Sequence, residues 1–228
     1  MPKNTHRALS LPVHPTVEPD ADWRTATLGM GCFWSPEALF GQLKGVIRTR
    51  TGYAGGNSNQ PTYAQMGDHT EMVQVVYDPG QITYGQLLEV FWDNHRPANI
   101  NGYKGRQYHS LLLTHDEEQR EAIRRAMEEL AARGRDVSET EVAPFSVFYP
   151  AEERHQKYYL KRYPDALAKL TELYPQPDVR DSSTLAARLN GLAKGYTSLE
   201  RIRRELEQWA LSREELTLLA ATLQKIRW

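Results

Sequence analysis

The chain has 228 residues, of which 40% are apolar and 25% charged, with a formal net charge of −1 and a single cysteine. That length suits one substantial domain with an appendage, and the near balance of charge argues against a nucleic-acid or membrane-surface partner. No apolar run is long enough for a transmembrane span. One cysteine leaves no internal disulfide or cysteine-based zinc cage to build, and the default compartment is the reducing cytoplasm.

Residues 1–24 carry Pro2, Pro12, Pro15 and Pro19 with few large hydrophobes, and read as a loosely ordered arm. Ala8 to Leu11 is too short an apolar stretch for a secretory signal. Ala26 to Gly31 is a short strand ending in glycine, and Ser35 to Leu43 a helix with Pro36 in its first turn and Leu39, Phe40 and Leu43 on one face. Val46 to Tyr53, rich in β-branched residues, is a strand running into the loop Gly55 to His69, which carries Tyr63. Met72 to Tyr77 is a strand stopped by Asp78-Pro79-Gly80. Thr83 with Gln86 makes a capping box before a helix through Trp92. After a second irregular loop comes the strand Ser110 to Thr114, then a helix from Glu117 to about Arg133 capped by Asp116. Val142 to Tyr149 reads as one strand broken at Pro144, and Glu152 to Tyr163 as a helix. The pattern is an alternating α+β domain.

Pro175-Gln176-Pro177 marks a boundary, so the chain divides into an arm (1–24), a catalytic domain (25–175) and a helical extension (176–228). In the extension Thr197 with Glu200 and Ser212 with Glu215 are capping boxes, each opening an amphipathic helix. A helical hairpin packed on the main domain is expected.

Cys32 is the candidate reactive centre. It lies between a strand that ends in glycine and the start of a helix, where unpaired N–H groups and the positive dipole end favour a thiolate. Phe33 and Trp34 follow it directly and offer an apolar wall suited to a methyl or thioether group.

The segment Gly31-Cys32-Phe33-Trp34 resembles the active-site signature of the A-type peptide methionine sulfoxide reductases. Further segments agree in order: Thr51 to Gly56, Pro61-Thr62-Tyr63, Gly67 to Glu71, Val75 to Pro79, Phe91 to His95, Gln107 to Ser110 and Glu152 to Leu160. The resemblance spans roughly residues 26–163. It implies a two-layer sandwich with a mixed sheet and a ferredoxin-like core, followed by the helical extension. It also implies reduction of the S epimer of methionine sulfoxide, free or in proteins. In that reaction Cys32 attacks the sulfoxide sulfur, Glu71 protonates the oxygen, Tyr63 and Tyr108 hydrogen-bond to it, and Phe33 and Trp34 hold the methyl. Cys32 becomes a sulfenic acid. No bound cofactor or metal is implied, and a monomer is expected.

Three features depart from the family pattern. The family commonly carries Gly-Asn-Asp-Val-Gly-Thr-Gln-Tyr, and Tyr103 stands here where its aspartate would align. Arg106 nearby is expected to make that loop basic. No second cysteine is available to resolve the sulfenic acid, so an external thiol must do so: thioredoxin, glutaredoxin or glutathione. Two other readings compete. In one, Cys32 works with His95 or His155 as base in a cysteine hydrolase; in the other, the protein is a non-catalytic redox sensor or sulfoxide-binding homologue.

Overall fold

The computed structural model describes residues 11–14, 22–100, 102 and 104–228. Its centre is a six-stranded mixed sheet of order β5-β4-β1-β3-β2-β6. The strands are β1 (Arg24–Met30), β2 (Val46–Ala54), β3 (Thr70–Tyr77), β4 (Ser110–Thr114), β5 (Glu141–Pro144) and β6 (Phe148–Pro150). Only β4 and β5 run parallel; the other neighbours are antiparallel. With α1 (Trp34–Gly41) after β1 and α2 (Tyr84–Asp93) after β3, the run β1-α1-β2-β3-α2-β4 has the order β4-β1-β3-β2 of a ferredoxin-like core.

Alternation along the strands builds two faces. Ala26, Leu28 and Met30 of β1, Val73, Val75 and Tyr77 of β3 and Leu112 of β4 share a core with Phe40 of α1, Leu87, Leu88 and Phe91 of α2 and Ile123 of α3 (Glu117–Ala132). The other face is smaller. There Ala54, Met72, Leu111 and Leu113 are covered by Ala143, Phe145 and Phe148. The Thr83–Gln86 capping box is complete, and Asp116 caps α3 by accepting the Gln119 N–H.

The single strand expected over Val142 to Tyr149 is two strands on opposite edges of the sheet: β5 beside β4 and β6 beside β2. The chain between them crosses the second face, against which Phe145 and, at the start of β6, Phe148 pack half-buried. The helix expected over Glu152 to Tyr163 is also broken. A 3₁₀ turn (Glu153–His155) is followed by α4 (Tyr158–Lys161), and Lys157 between them has φ +52°, ψ +45°. The left-handed turn is held by burial of that residue. Lys157, fully buried, donates Nζ–H to Glu37 Oε1 (2.6 Å) and Thr49 O (2.8 Å), and its backbone N–H to Glu37 Oε2 (2.8 Å).

Beyond α5 (Pro164–Leu173) come α6 (Pro177–Ser182), α7 (Thr184–Lys194), α8 (Leu199–Leu206) and α9 (Arg213–Lys225), which is more than a hairpin. A second core joins Leu160, Ala166, Leu170 and Tyr174 to Leu185, Leu189, Ile202, Leu206, Trp209, Leu219, Leu223 and Ile226. Leu11 belongs to it, Pro12 O accepts the Tyr174 hydroxyl and Val13 O accepts the Thr184 N–H. Residues 11–14 of the arm are therefore packed rather than loose; 1–10 and 15–21 lie outside the described residues. The Ser212 capping box forms, whereas α8 is capped by Ser198 in place of Thr197.

Helix α7 lies against α1 so closely that a Cβ on Gly191 would sit 2.5 Å from Gln42 Cβ and 3.0 Å from Ala38 O. Buried Arg188 reaches across it, donating to Gly41 O (2.6 Å) and Val46 O (2.8 Å) while pairing with Glu205. Gly41 O is the last carbonyl of α1 and Val46 O the first of β2, so the guanidinium satisfies a helix-end carbonyl and ties it to the sheet. Among the described residues no helix is long and apolar enough to cross a membrane.

Candidate active site

Cys32 occupies the turn from β1 to α1. The turn needs φ +85° at Gly31, a conformation that favours glycine. It leaves Cys32 half-buried, two residues ahead of the first helical residue, with the Trp34 N–H favouring its thiolate. Burial nevertheless dominates. It pushes the thiol pKa up, the Glu71 charge adds to that, and the Trp34 N–H only partly offsets them. The lowering expected from a helix start is thus reversed by desolvation, and the resting residue is a thiol.

Glu71 comes to this point through the strand period. Residues 71, 73, 75 and 77 of β3 point to the helix-bearing face, and Glu71 sits at the open end of that row, opposite Tyr53 of β2. It is 1% exposed. Its Oε2 accepts the Phe33 N–H (3.0 Å), one residue from Cys32, and its Oε1 accepts from Gln107 Nε2 (2.7 Å). Burial raises the carboxyl pKa, and those two donors lower it without cancelling the rise. The site thus favours a carboxylic acid more than water does.

Two tyrosines complete the group. Tyr108 closes a 3₁₀ turn (Arg106–Tyr108) before β4, Tyr63 sits 38% exposed in the loop after β2, and the two share a side-chain hydrogen bond. Burial keeps Tyr108 a neutral phenol, and the nearby Glu71, Tyr63 and Cys32 act on it in the same direction. Cys32, Glu71, Tyr63 and Tyr108 are therefore brought together.

The Tyr63 loop is held from both ends. Glu152 bridges it to β2 by accepting the Tyr63 N–H (3.1 Å) and the Tyr53 hydroxyl (2.7 Å). Asp68 accepts the N–H groups of Asn57 (2.8 Å) and Ser58 (3.0 Å), while buried His69 accepts the Gly56 N–H (3.1 Å). Neither Gln107 nor Glu152 was singled out in the sequence. Both lie inside motif segments there, and only the folded ladder shows which neighbour each one serves.

Phe33 is fully buried against Tyr53 and His155, so it backs the site from beneath. Trp34 is half-buried and stacks on Tyr158 with ring centroids 3.8 Å apart. The two histidines named as alternative bases, His95 and His155, are engaged. His95 bonds Phe91 O (2.7 Å) and Ser110 Oγ (2.8 Å), and His155 takes the Trp34 indole N–H at Nδ1 (3.3 Å). Arg106 does not leave its loop basic either. Both Nη atoms meet Glu141, and Nη2 also donates to Gly55 O (3.0 Å). Tyr103 lies outside the described residues. Among the described residues no group of three or more His, Cys, Asp or Glu is placed to hold a metal ion.

Residues 24–180 match the family model described as peptide methionine sulfoxide reductase. The chain belongs to the A-type peptide methionine sulfoxide reductase family. A peptide methionine sulfoxide reductase of Drosophila melanogaster is 42% identical over 92% of this chain and 83% of its own length. The reductase MsrA of Haloquadratum walsbyi is 42% identical over 68% of this chain and 91% of its own. Among solved structures, the chain resembles reduced Mxr1 of Saccharomyces cerevisiae, with a TM-score of 0.57 at 31% identity over 64% of this chain and 88% of that one. It also resembles methionine sulfoxide reductase A of Corynebacterium diphtheriae, with a TM-score of 0.53 at 33% identity over 68% and 86%. The reductase is thus an oxidoreductase acting on a sulfur group, and its fold is the α+β sandwich of that family with a helical C-terminal part. Chemically, the site brings together a thiol, a carboxyl biased toward its acid form and two phenols.

Proposed function

We propose that the reductase acts on the S epimer of methionine sulfoxide, with Cys32 as nucleophile and Glu71 as acid. The observation that carries this reading is the Phe33 N–H bond to Glu71. It ties the buried carboxyl one residue from the cysteine, within reach of any oxygen presented to both.

Cys32 sulfur attacks the sulfoxide sulfur as the S–O bond weakens, and negative charge grows on the departing oxygen. Glu71 supplies a proton there, and the Tyr63 and Tyr108 hydroxyls donate hydrogen bonds to the same oxygen. The protonated oxygen passes from the substrate sulfur to Cys32 sulfur as the transient S–S bond breaks, so the substrate sulfur is reduced by two electrons and leaves as the thioether while Cys32 is oxidised to the sulfenic acid. Trp34 faces the methyl, with Phe33 behind it. An external thiol then condenses with the sulfenic acid, releasing water, and a second thiol splits the mixed disulfide and restores Cys32. Thioredoxin, glutaredoxin or glutathione can each supply those thiols, and free or protein-bound methionine sulfoxide can each enter. Residues 25–175 would form the catalytic unit, braced by the 176–228 extension through α7.

The test is an epimer-resolved assay with excess dithiothreitol, using wild type and Cys32→Ser. The S epimer is consumed by wild type alone. Consumption of the R epimer instead, or turnover surviving Cys32→Ser, overturns the proposal.

A further inference from the structure

His155 stands at the centre of the aromatic wall and takes no part in the chemistry above. It is 5% exposed, and its ring lies against Phe33 (centroids 5.5 Å), Trp34 (5.9 Å) and Tyr63 (4.7 Å). Its Nδ1 faces the Trp34 indole N–H at 3.3 Å. Its Nε2 faces Arg154 Nε at 3.1 Å and Glu152 Oε2 at 3.8 Å.

A neutral imidazole has one N–H and one acceptor, so it cannot receive protons from both Trp34 and Arg154. Glu152 decides between them, because a carboxylate beside Nε2 favours the proton there. Arg154, with two thirds of its side chain exposed, can turn to water. The indole is packed on Tyr158 and has no such freedom. Burial, the largest influence, and the Arg154 charge keep the ring neutral against the pull of Glu152.

We propose that His155 is a positioning residue: as the Nε2–H tautomer it accepts the Trp34 indole proton at Nδ1 and, wedged against Tyr63, sets the width of the slot that admits the alkyl group on sulfur. It is thereby a determinant of methyl specificity. The inference rests on the proposed roles of Trp34 and Tyr63.

The test exploits geometry. An asparagine Oδ1 falls near the position of Nδ1, and a glutamine Oε1 near Nε2. Activity of wild type, H155N, H155Q and H155F is measured on S-methyl and S-ethyl sulfoxides with excess dithiothreitol. In parallel the Trp34 indole N–H resonance is followed, assigned with Trp34→Phe. We expect H155F and H155Q to raise KM for the methyl substrate roughly three- to tenfold, the scale of one hydrogen bond, with kcat less affected. The methyl-over-ethyl preference falls and the indole resonance shifts upfield. H155N restores all three to within about twofold of wild type. An unchanged preference and resonance in H155F overturn the inference, as does rescue by H155Q equal to that by H155N. If wild type reduces neither sulfoxide, the chemistry is wrong, and the resonance still judges the Trp34–His155 bond.

Discussion

Replacing Glu71 with glutamine removes one ionisable proton at nearly constant shape. The amide oxygen can keep the Phe33 N–H bond now made at 3.0 Å. Its new NH₂ meets Gln107, whose own amide can rotate to present oxygen, so the fold survives. A general acid contributes typically 10²- to 10⁴-fold, and Tyr63 and Tyr108 still donate in its absence. We therefore expect the chemical step to slow by roughly 10²- to 10³-fold, measured in single turnovers with enzyme in excess over sulfoxide. Two companion effects follow. The Glu71 charge helps raise the Cys32 pKa, so its removal lowers that pKa and speeds alkylation of Cys32 by iodoacetamide at neutral pH. The reactive state holds one proton between the two groups, so the wild-type rate rises and then falls with pH, with apparent pKa values that belong to the pair. Glu71→Gln loses the falling limb and only rises to a plateau as Cys32 ionises. A variant within a few-fold of the wild-type rate, or one that keeps the bell, would refute Glu71 as the acid.

Lys157→Met strands the fully buried Glu37 carboxylate, at a cost of about 3–5 kcal/mol. The melting temperature should fall by roughly 6 to 20 °C, while the double variant Glu37→Gln/Lys157→Met, whose amide oxygen still accepts the backbone N–H of residue 157, recovers part of the loss; a full additive loss in the double contradicts the pairing. Gly191→Ala drives a methyl against Gln42 and the Ala38 carbonyl and should cost about 1–3 kcal/mol in urea unfolding. An unaltered midpoint would mean that α7 does not bear on α1. Arg106→Ala breaks a partly exposed pair with Glu141 and should change stability by under about 1 kcal/mol. Preference between acidic and neutral peptide sulfoxides should not change; a marked shift would mean that Arg106 acts as a free cation.

The strands that carry the core were legible because alternation and turn residues bound them: β1, β3 and β4 appear where Ala26–Gly31, Met72–Tyr77 and Ser110–Thr114 predict them. The caps at Thr83, Asp116 and Ser212 were legible for the same local reason. What escaped depends on distant neighbours. Lys157 takes a left-handed backbone because Glu37, 120 residues earlier, receives both its N–H and its ammonium. Val142 to Tyr149 splits because its two halves pair with strands on opposite edges of the sheet. Within the site, Cys32, Tyr63, Glu71 and Tyr108 stand out as residue types with known chemistry. The groups that aim them do not. Gln107 holding Glu71, Glu152 holding the Tyr63 loop and Arg188 satisfying the end of α1 are ordinary polar residues until the chain is folded. The sign of the Cys32 shift also needed the fold, since burial outweighs the single N–H at the helix start.

The most direct test of the reductase chemistry is one turnover without any thiol. Reduced enzyme is mixed with excess methionine S-sulfoxide, released methionine is quantified, and the Cys32 peptide is weighed by mass spectrometry. The account predicts one methionine per enzyme and a Cys32 peptide heavier by one oxygen that a dimedone-type reagent traps. Methionine released continuously without thiol, or released while Cys32 stays unmodified, would contradict it.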